Sequence, residues 1–259
     1  MDPDFWIFFA VGVAAQLVDG ALGMAYGVVS STVLLALGVP PANASASVHA
    51  AKVFTGAASA VSHIIYRNVN WRLLGLLSAG GVVGGILGTY VLTSIDGKVV
   101  KPWVVAWLGL MGLIILWRAW KGTRPRVLSW KRPAPLGLIG GFFDAIGGGG
   151  WGPVVTSTLM GSGAEPRQAI GTTNAAEFFV ASAISATFVA AILSGHWDAT
   201  GLQDHMWSVA GLIAGGVLAA PFAGWMTKVL PIRALTWLVG LLVTGLAVWQ
   251  GVVLAGLKV

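Results

Sequence analysis

Two pairs of polar side chains lie within apolar stretches of the sequence and are the strongest candidates for chemistry. His49 and Lys52 form the first pair, and Asn174 and Glu177 form the second. The members of each pair are three positions apart, so they share one face of a helix. Ionisable groups in apolar helices are costly and mark functional candidates. Two roles stay open: a buried Lys52–Glu177 ion pair, or direct contact with a substrate or a coupling proton.

The composition indicates that these groups lie in a membrane. Of 259 residues, 56% are apolar and 9% are charged, whereas a soluble domain carries about a quarter charged residues. At about 20 residues per span, the chain has room for roughly six to eight spans. The net charge of +6 is better explained by orientation in the lipid bilayer than by nucleic acid. The absence of cysteine excludes disulfides and thiolate metal sites, and no metal is expected.

A long internal repeat organises the chain. A shift of 125 positions aligns Asp19 with Asp144, Gly23 with Gly148, Tyr26 with Trp151, Gly27 with Gly152, His49 with Asn174 and Lys52 with Glu177. The repeat predicts one membrane domain over 1–259. It consists of a first repeat (1–120), a basic linker (121–133) and a second repeat (134–259).

Each repeat combines long and short apolar segments. Six segments are long enough to span: 43–66, 71–94, 101–120, 167–193, 206–229 and 233–256. Each repeat also opens with two shorter arms, which are 5–18 and 25–37, then 134–146 and 151–162. An arm of about 13 residues reaches only about 20 Å, whereas the hydrocarbon core is about 30 Å thick. Each pair of arms is therefore one broken span or a re-entrant hairpin.

The positions of the bases favour hairpins. With the linker in the cytoplasm, hairpins place 11 bases inside and 3 outside, whereas broken spans give 9 and 5. Hairpins leave three crossings per repeat, so the repeats become inverted copies, as in many secondary transporters. The expected fold is an all-α polytopic membrane protein of two inverted repeats, each a re-entrant helical hairpin plus three transmembrane helices. Both termini and 197–205 are expected outside.

The breaks between the arms predict an anion site. Non-helical backbone at membrane depth is tolerated where protein or a water-filled cavity surrounds it. The second arm of each hairpin would present free N–H groups at a helix N-terminus. The candidate substrate-binding residues are Gly147, Gly148, Gly149, Gly150, Trp151, Gly23, Tyr26, His49, Lys52, Thr172, Thr173 and Asn174. Asp19 and Asp144 are expected to cap the second arms or to pair with a base, with proton coupling as the alternative.

Three motifs resemble those of a known family: Asp144-Ala-Ile-Gly-Gly-Gly-Gly-Trp-Gly-Pro153, Asp19-Gly-Ala-Leu-Gly-Met-Ala-Tyr-Gly27 and Ala169-Ile-Gly-Thr-Thr-Asn174. The chain is similar over nearly its whole length to the TauE/SafE family of sulfite and organosulfonate exporters. The resemblance implies a multi-pass protein of the inner (plasma) membrane that exports small sulfur-containing anions and holds no cofactor. It departs at Lys52, where family members often carry an acid.

The favoured interpretation is a secondary transporter with a midplane site, alternating access and a coupling ion, either a proton or sodium. The alternative is a passive channel for anions or small solutes, built from the same paired hairpins. An intramembrane enzyme is the least favoured, because the chain has no cysteine, no G-x-S-x-G and no HExxH motif.

Overall fold

The computed structural model describes residues 3–121, 133–162, 164–229 and 232–256, and every regular element in them is helical. The helices are α1 (Pro3–Leu22), α2 (Tyr26–Ala36), α3 (Pro41–Ile65), α4 (Trp71–Ser94), α5 (Gly97–Lys121), α6 (Pro133–Gly147), α7 (Ser157–Gly161), α8 (Pro166–Leu193), α9 (Met206–Ala219), α10 (Ala223–Val229) and α11 (Ile232–Leu254). A π-helical turn (Gly152–Thr156) precedes α7, and a 3₁₀ turn (Ala220–Phe222) joins α9 to α10. Within the described residues, six segments are long and apolar enough to cross a membrane, and they are Phe5–Leu22, Trp71–Ser94, Gly97–Lys121, Pro166–Leu193, Gln203–Met226 and Thr236–Leu254. They include α1, whose arm was expected to be too short, and they do not include α3, which carries the predicted span 43–66.

The first arm is longer than predicted. Helix α1 has 20 residues and continues to Leu22, so the predicted end at residue 18 was wrong. Asp19 lies within the last turn of α1, and its side chain accepts hydrogen bonds from the start of the next helix. The helix stops before Gly23, which has a φ of +65°, a conformation that glycine adopts without steric cost.

Helices α3 and α8 cross antiparallel at the centre of the bundle. Near the start of α3, the Asn43 amide donates to the Thr200 carbonyl, which follows α8, at 3.2 Å. Just after α3, the Asn70 N–H donates to the Thr172 hydroxyl, near the start of α8, at 2.9 Å. Halfway between, Gly56 faces Phe178. Helices α3 and α8 therefore run in opposite directions.

The first arm of each repeat packs against the other repeat. Along α4, a Cβ at Gly80, Gly84 or Gly88 would meet main-chain carbonyls of α6. A Cβ at Gly211 or Gly215 of α9 would likewise meet main-chain carbonyls of α1. Small residues permit this close approach, and both pairs run parallel. The repeats therefore hold one another through their first helices.

The bundle has two distinguishable ends. The end called here the basic end contains the α3–α4 loop with exposed Arg67 and the start of α11, where Arg233 Nε donates to the Ala119 carbonyl at 3.1 Å. At the opposite end, Ser94 Oγ lies 3.0 Å from His196 Nε2. The N-terminal part of α1 lies at this opposite end, since Phe5 meets Trp207 edge to face. The α1–α2 pair therefore starts at the end of the bundle where α3 also starts.

Candidate functional site

The break between α1 and α2 is closed by Asp19. The Gly23 N–H donates to the Asp19 carbonyl at 2.6 Å, which ends α1. The Asp19 carboxylate then accepts from the N–H groups of Ala25 at 2.7 Å and Tyr26 at 3.1 Å. A carboxylate is stabilised at a helix start because it meets unpaired N–H donors and the positive end of the dipole.

Asp144 closes the second break in the same way. Gly148 has a φ of +68°, and its N–H donates to the Asp144 carbonyl at 2.6 Å. Asp144 Oδ1 accepts from the N–H groups of Gly150 at 2.9 Å and Trp151 at 3.0 Å. In this conformation those two N–H groups donate to Asp144. They do not point into an open anion site, which the glycine run had suggested.

The two breaks pack directly on one another. A Cβ at Gly27 would meet the Gly148 carbonyl, and one at Gly149 would meet the main chain of Val28 at 2.5 Å. A Cβ at Gly152 would likewise meet the main chain of Met24. The glycines of both breaks thus allow main chain to touch main chain at the centre of the bundle.

Lys52 links the two repeats at this contact. Its ammonium lies 2.6 Å from Glu177 Oε1 and 2.8 Å from Asp144 Oδ2. His49 adds a further contact to Asp144 Oδ2, at 3.1 Å from Nε2, while its Nδ1 lies 2.8 Å from the Ser45 carbonyl. The structure therefore brings both members of the first polar pair to Asp144.

This charged group is enclosed by protein. Lys52 is 2% exposed and Asp144 is fully buried, while the Glu177 side chain is 14% exposed. A gap too narrow to hold a water molecule touches Asp19, Lys52, Asp144, Gly149 and Glu177. The central charges therefore share one small space with the glycine run.

The other candidate residues lie around this centre or to one side of it. Trp151 and Tyr26 are buried anchors: Trp151 Nε1 donates to the Thr173 carbonyl at 3.0 Å, and the Tyr26 hydroxyl donates to the Leu212 carbonyl at 2.9 Å. Thr173 accepts from Thr156 at 2.8 Å. Thr172 bonds to the α3–α4 loop, nearer the basic end. These threonines therefore face other protein groups and not Lys52.

His63 is a buried polar residue that was not among the candidate site residues. It is fully buried. Its Nδ1 lies 3.3 Å from the Asn68 amide, and its Nε2 lies 3.3 Å from the Asn174 amide. Asn174 thus bonds to His63 and not to its repeat partner His49. The sequence contained a signal for this contact. Asn174 and Glu177 share one face of α8, and α3, which carries His63, packs against that face.

A second, apolar cavity of about 390 Å³ lies toward the opposite end, between α3, α8 and α9. It is lined by Phe188, Trp197 and other apolar side chains. Ser47 and Ser185 also line it, and their hydroxyls have no hydrogen-bond partner among the described residues. The described residues therefore leave a cavity on one side of the centre.

The chain is similar to proteins that are named as membrane transporters. The family model described as Sulfite exporter TauE/SafE matches residues 8–249. The chain is 42% identical over 230 residues to the probable membrane transporter protein YtnM of Bacillus subtilis, covering 86% of this chain and 74% of that protein. It is 33% identical over 81 residues to the probable inner membrane transporter protein TsaS of Comamonas testosteroni, covering 29% and 31% of the two chains. No solved structure matches.

Proposed function

Because the chain belongs to the TauE/SafE sulfite exporter family and is a multi-pass membrane protein, we propose that it is a secondary transporter of small sulfur-containing anions. The substrates are sulfite or organosulfonates, and the direction is export. The curated relatives described above are named as membrane transporters, which supports transport as the general activity.

The observation that carries the proposal is the position of Lys52. A buried ammonium is costly and persists where partners compensate it. Here it lies where two broken helices meet, within hydrogen-bond distance of two carboxylates. A substrate anion that reaches this point replaces a carboxylate as the partner of Lys52, and His49 is the second donor within reach of Asp144.

We propose further that the repeats are inverted, and that each contains a re-entrant hairpin and three crossings. The antiparallel crossing of α3 and α8 supports inversion, because equivalent helices of parallel repeats run in the same direction. The return of the chain to the opposite end between α1 and α3 supports the first hairpin. In this arrangement the basic end is cytoplasmic.

Alternating access is supported by a difference between the two sides of the centre. The apolar cavity is lined by Ser47 and Phe188, whose repeat partners are Thr172 and His63. On that second side Asn68 and Asn70 pack against the start of α8. In the proposed cycle this arrangement is the one open toward the opposite end and closed toward the basic end, and transport exchanges it with its counterpart.

Uphill accumulation in proteoliposomes tests the proposal. Purified protein is reconstituted, and uptake of sulfite, sulfate, thiosulfate and short alkanesulfonates is measured with and without an imposed ion gradient. A secondary transporter accumulates its anion above equilibrium, whereas a passive channel only equilibrates it. Lack of flux for every sulfur-containing anion, in protein that is monodisperse, contradicts the proposal.

A further inference from the structure

The central charges do not balance if every acid is ionised. Asp19, Asp144 and Glu177 supply three carboxylates near the centre, and Lys52 is the one lysine or arginine in the described residues that pairs with any of them. His49 also contacts Asp144. Buried charge without compensation is expensive enough that a group binds a proton instead. At least one proton is therefore expected on this group.

Glu177 is the acid least committed to the ionised form. Asp144 accepts from two main-chain N–H groups, from Lys52 and from His49. Asp19 accepts from two main-chain N–H groups. Donors of this kind stabilise a carboxylate against protonation. Among the described donors, Glu177 is bound by Lys52 alone.

A proton on Glu177 changes what Lys52 can bind. When Glu177 is neutral, its charge attraction for the ammonium is lost, while the ion pair of Lys52 with Asp144 is retained. One donor of the ammonium is then free for an anion. The anion also restores the negative charge that the proton neutralised, so the buried charge stays constant.

We propose that Glu177 binds a proton that reaches it past His63 from the basic end, and that this proton releases Lys52 for the substrate anion. A proton and an anion are then carried together, and neither crosses alone. This inference rests on the proposed transport function and assigns its coupling ion. With a monovalent anion the step is electroneutral, and net flow follows the product of the two concentrations on each side.

The route past His63 is defined by contacts on one side of the centre only. Asn68 lies beside the exposed Arg67 and contacts His63, which contacts Asn174 on its other ring nitrogen. Asn174 lies one helical turn from Glu177 on the same face of α8. On the other side, the repeat partner of His63 is Phe188 beside the apolar cavity. An imidazole can take up a proton on one ring nitrogen and release one from the other.

The groups that face Glu177 come from four other helices. They are Lys52 on α3, Asp19 on α1, Asp144 on α6 and Tyr26 on α2. The two carboxylates raise the cost of a further negative charge, and Lys52 lowers it. Protonation of Glu177 is thus governed by whether Lys52 is available to it.

Methanesulfonate is a suitable probe, because it carries no titratable proton near neutral pH. In proteoliposomes that contain a pH-sensitive dye, an outward methanesulfonate gradient is expected to move protons outward with it. Exchange of labelled for unlabelled methanesulfonate at equal pH needs no proton release. In exchange the protein binds an anion in both directions, so the proton can stay on Glu177 throughout. Net flux and exchange therefore separate proton movement from anion binding.

Two variants and one control give the decisive comparison. Glu177→Gln imitates the protonated acid, so exchange persists and becomes independent of pH, while net flux is lost. His63→Gln keeps an amide for hydrogen bonding, and it lowers proton-coupled net flux by more than about tenfold with exchange retained. Glu165→Gln is the matched control, because Glu165 is an exposed N-cap on the same helix, and it leaves both rates unchanged.

Infrared difference titration of the purified protein tests the proton site without any substrate. The wild-type protein is expected to show the carbonyl band of a protonated carboxyl, and Glu177→Gln removes it. An unchanged band in Glu177→Gln overturns the inference, as does methanesulfonate flux without proton movement. Failure of all sulfur-containing anions to move overturns the transport proposal instead, and the infrared result does not depend on it.

Discussion

Asp19 and Asp144 occupy equivalent positions and cap their helices alike, but only Asp144 pairs with Lys52. Each carboxylate accepts from two successive main-chain N–H groups after a glycine with positive φ. The second oxygen of Asp144 then binds both Lys52 and His49. The two breaks therefore have the same backbone shape. They differ chemically because Lys52 and His49 of α3 contact the second break, through Asp144.

Removal of the Lys52 ammonium is expected to be costly. Lys52→Met leaves Glu177 without its partner and Asp144 with one partner fewer, and breaking a buried ion pair costs about 3–5 kcal/mol. The double change Lys52→Met/Glu177→Met is expected to recover only part of this, because Asp144 stays ionised beside it. Thermal unfolding in detergent measures both.

Transport by the same double variant separates stability from function. If Lys52 binds the anion, the protein folds and carries no substrate. Normal flux in a folded Lys52→Met/Glu177→Met protein removes both residues from the mechanism.

The close contact of α4 with α6 predicts a large effect at Gly84. A Cβ at Gly84 would meet the Leu138 carbonyl, which belongs to a helix and does not yield easily. Overpacking of this kind costs about 1–3 kcal/mol. Gly75→Ala on the same helix meets nothing within 4 Å and is the control. If the Gly84→Ala and Gly75→Ala proteins have the same melting temperature, the close packing of α4 on α6 is contradicted.

Two neighbouring glycines of the second break are expected to differ in tolerance. Gly149→Ala drives a Cβ into the main chain of Val28, whereas Gly148→Ala meets chiefly the Ser31 hydroxyl, a side chain that turns away. Gly148→Ala still lowers the free energy of unfolding by about 1 kcal/mol, because position 148 has a positive φ. Stability is therefore expected to fall further in Gly149→Ala. Equal melting temperatures speak against the backbone contact.

The proposed orientation predicts which loops are accessible from each side. The chain has no cysteine, so Thr200→Cys and Arg72→Cys each create a single labelling site. Thr200→Cys is expected to react with a membrane-impermeant maleimide from outside whole cells, and Arg72→Cys only after lysis. Labelling of position 200 from the cytoplasm alone eliminates the hairpin arrangement.

Apolar length was enough to predict most of the helices. The predicted span 71–94 coincides with α4, and 167–193 begins one residue after the start of α8. The repeat also placed Lys52 and Glu177 on equivalent faces, which are in contact in the structure. Periodicity and length are local properties of the chain, so sequence reasoning reaches them.

What the sequence interpretation missed depends on contacts between distant segments. The capping of Gly150 and Trp151 by Asp144 was one of several roles that the sequence left open for this carboxylate. The contact between the two breaks joins segments that are far apart in the sequence, so no local pattern indicates it. His63 was not among the candidate site residues, because it lies near the end of a helix. Its burial follows from Asn68 folding back over it.

The Lys52–Glu177 contact also constrains how such a chain arose. In an assembly of two identical half-proteins related by a two-fold axis, equivalent positions on α3 and α8 hold the same residue. Two lysines or two glutamates at 2.6 Å repel, so an ancestral homodimer would have had neither this pair nor its charge asymmetry. Gene duplication had to come first, since only then was each copy free to mutate alone.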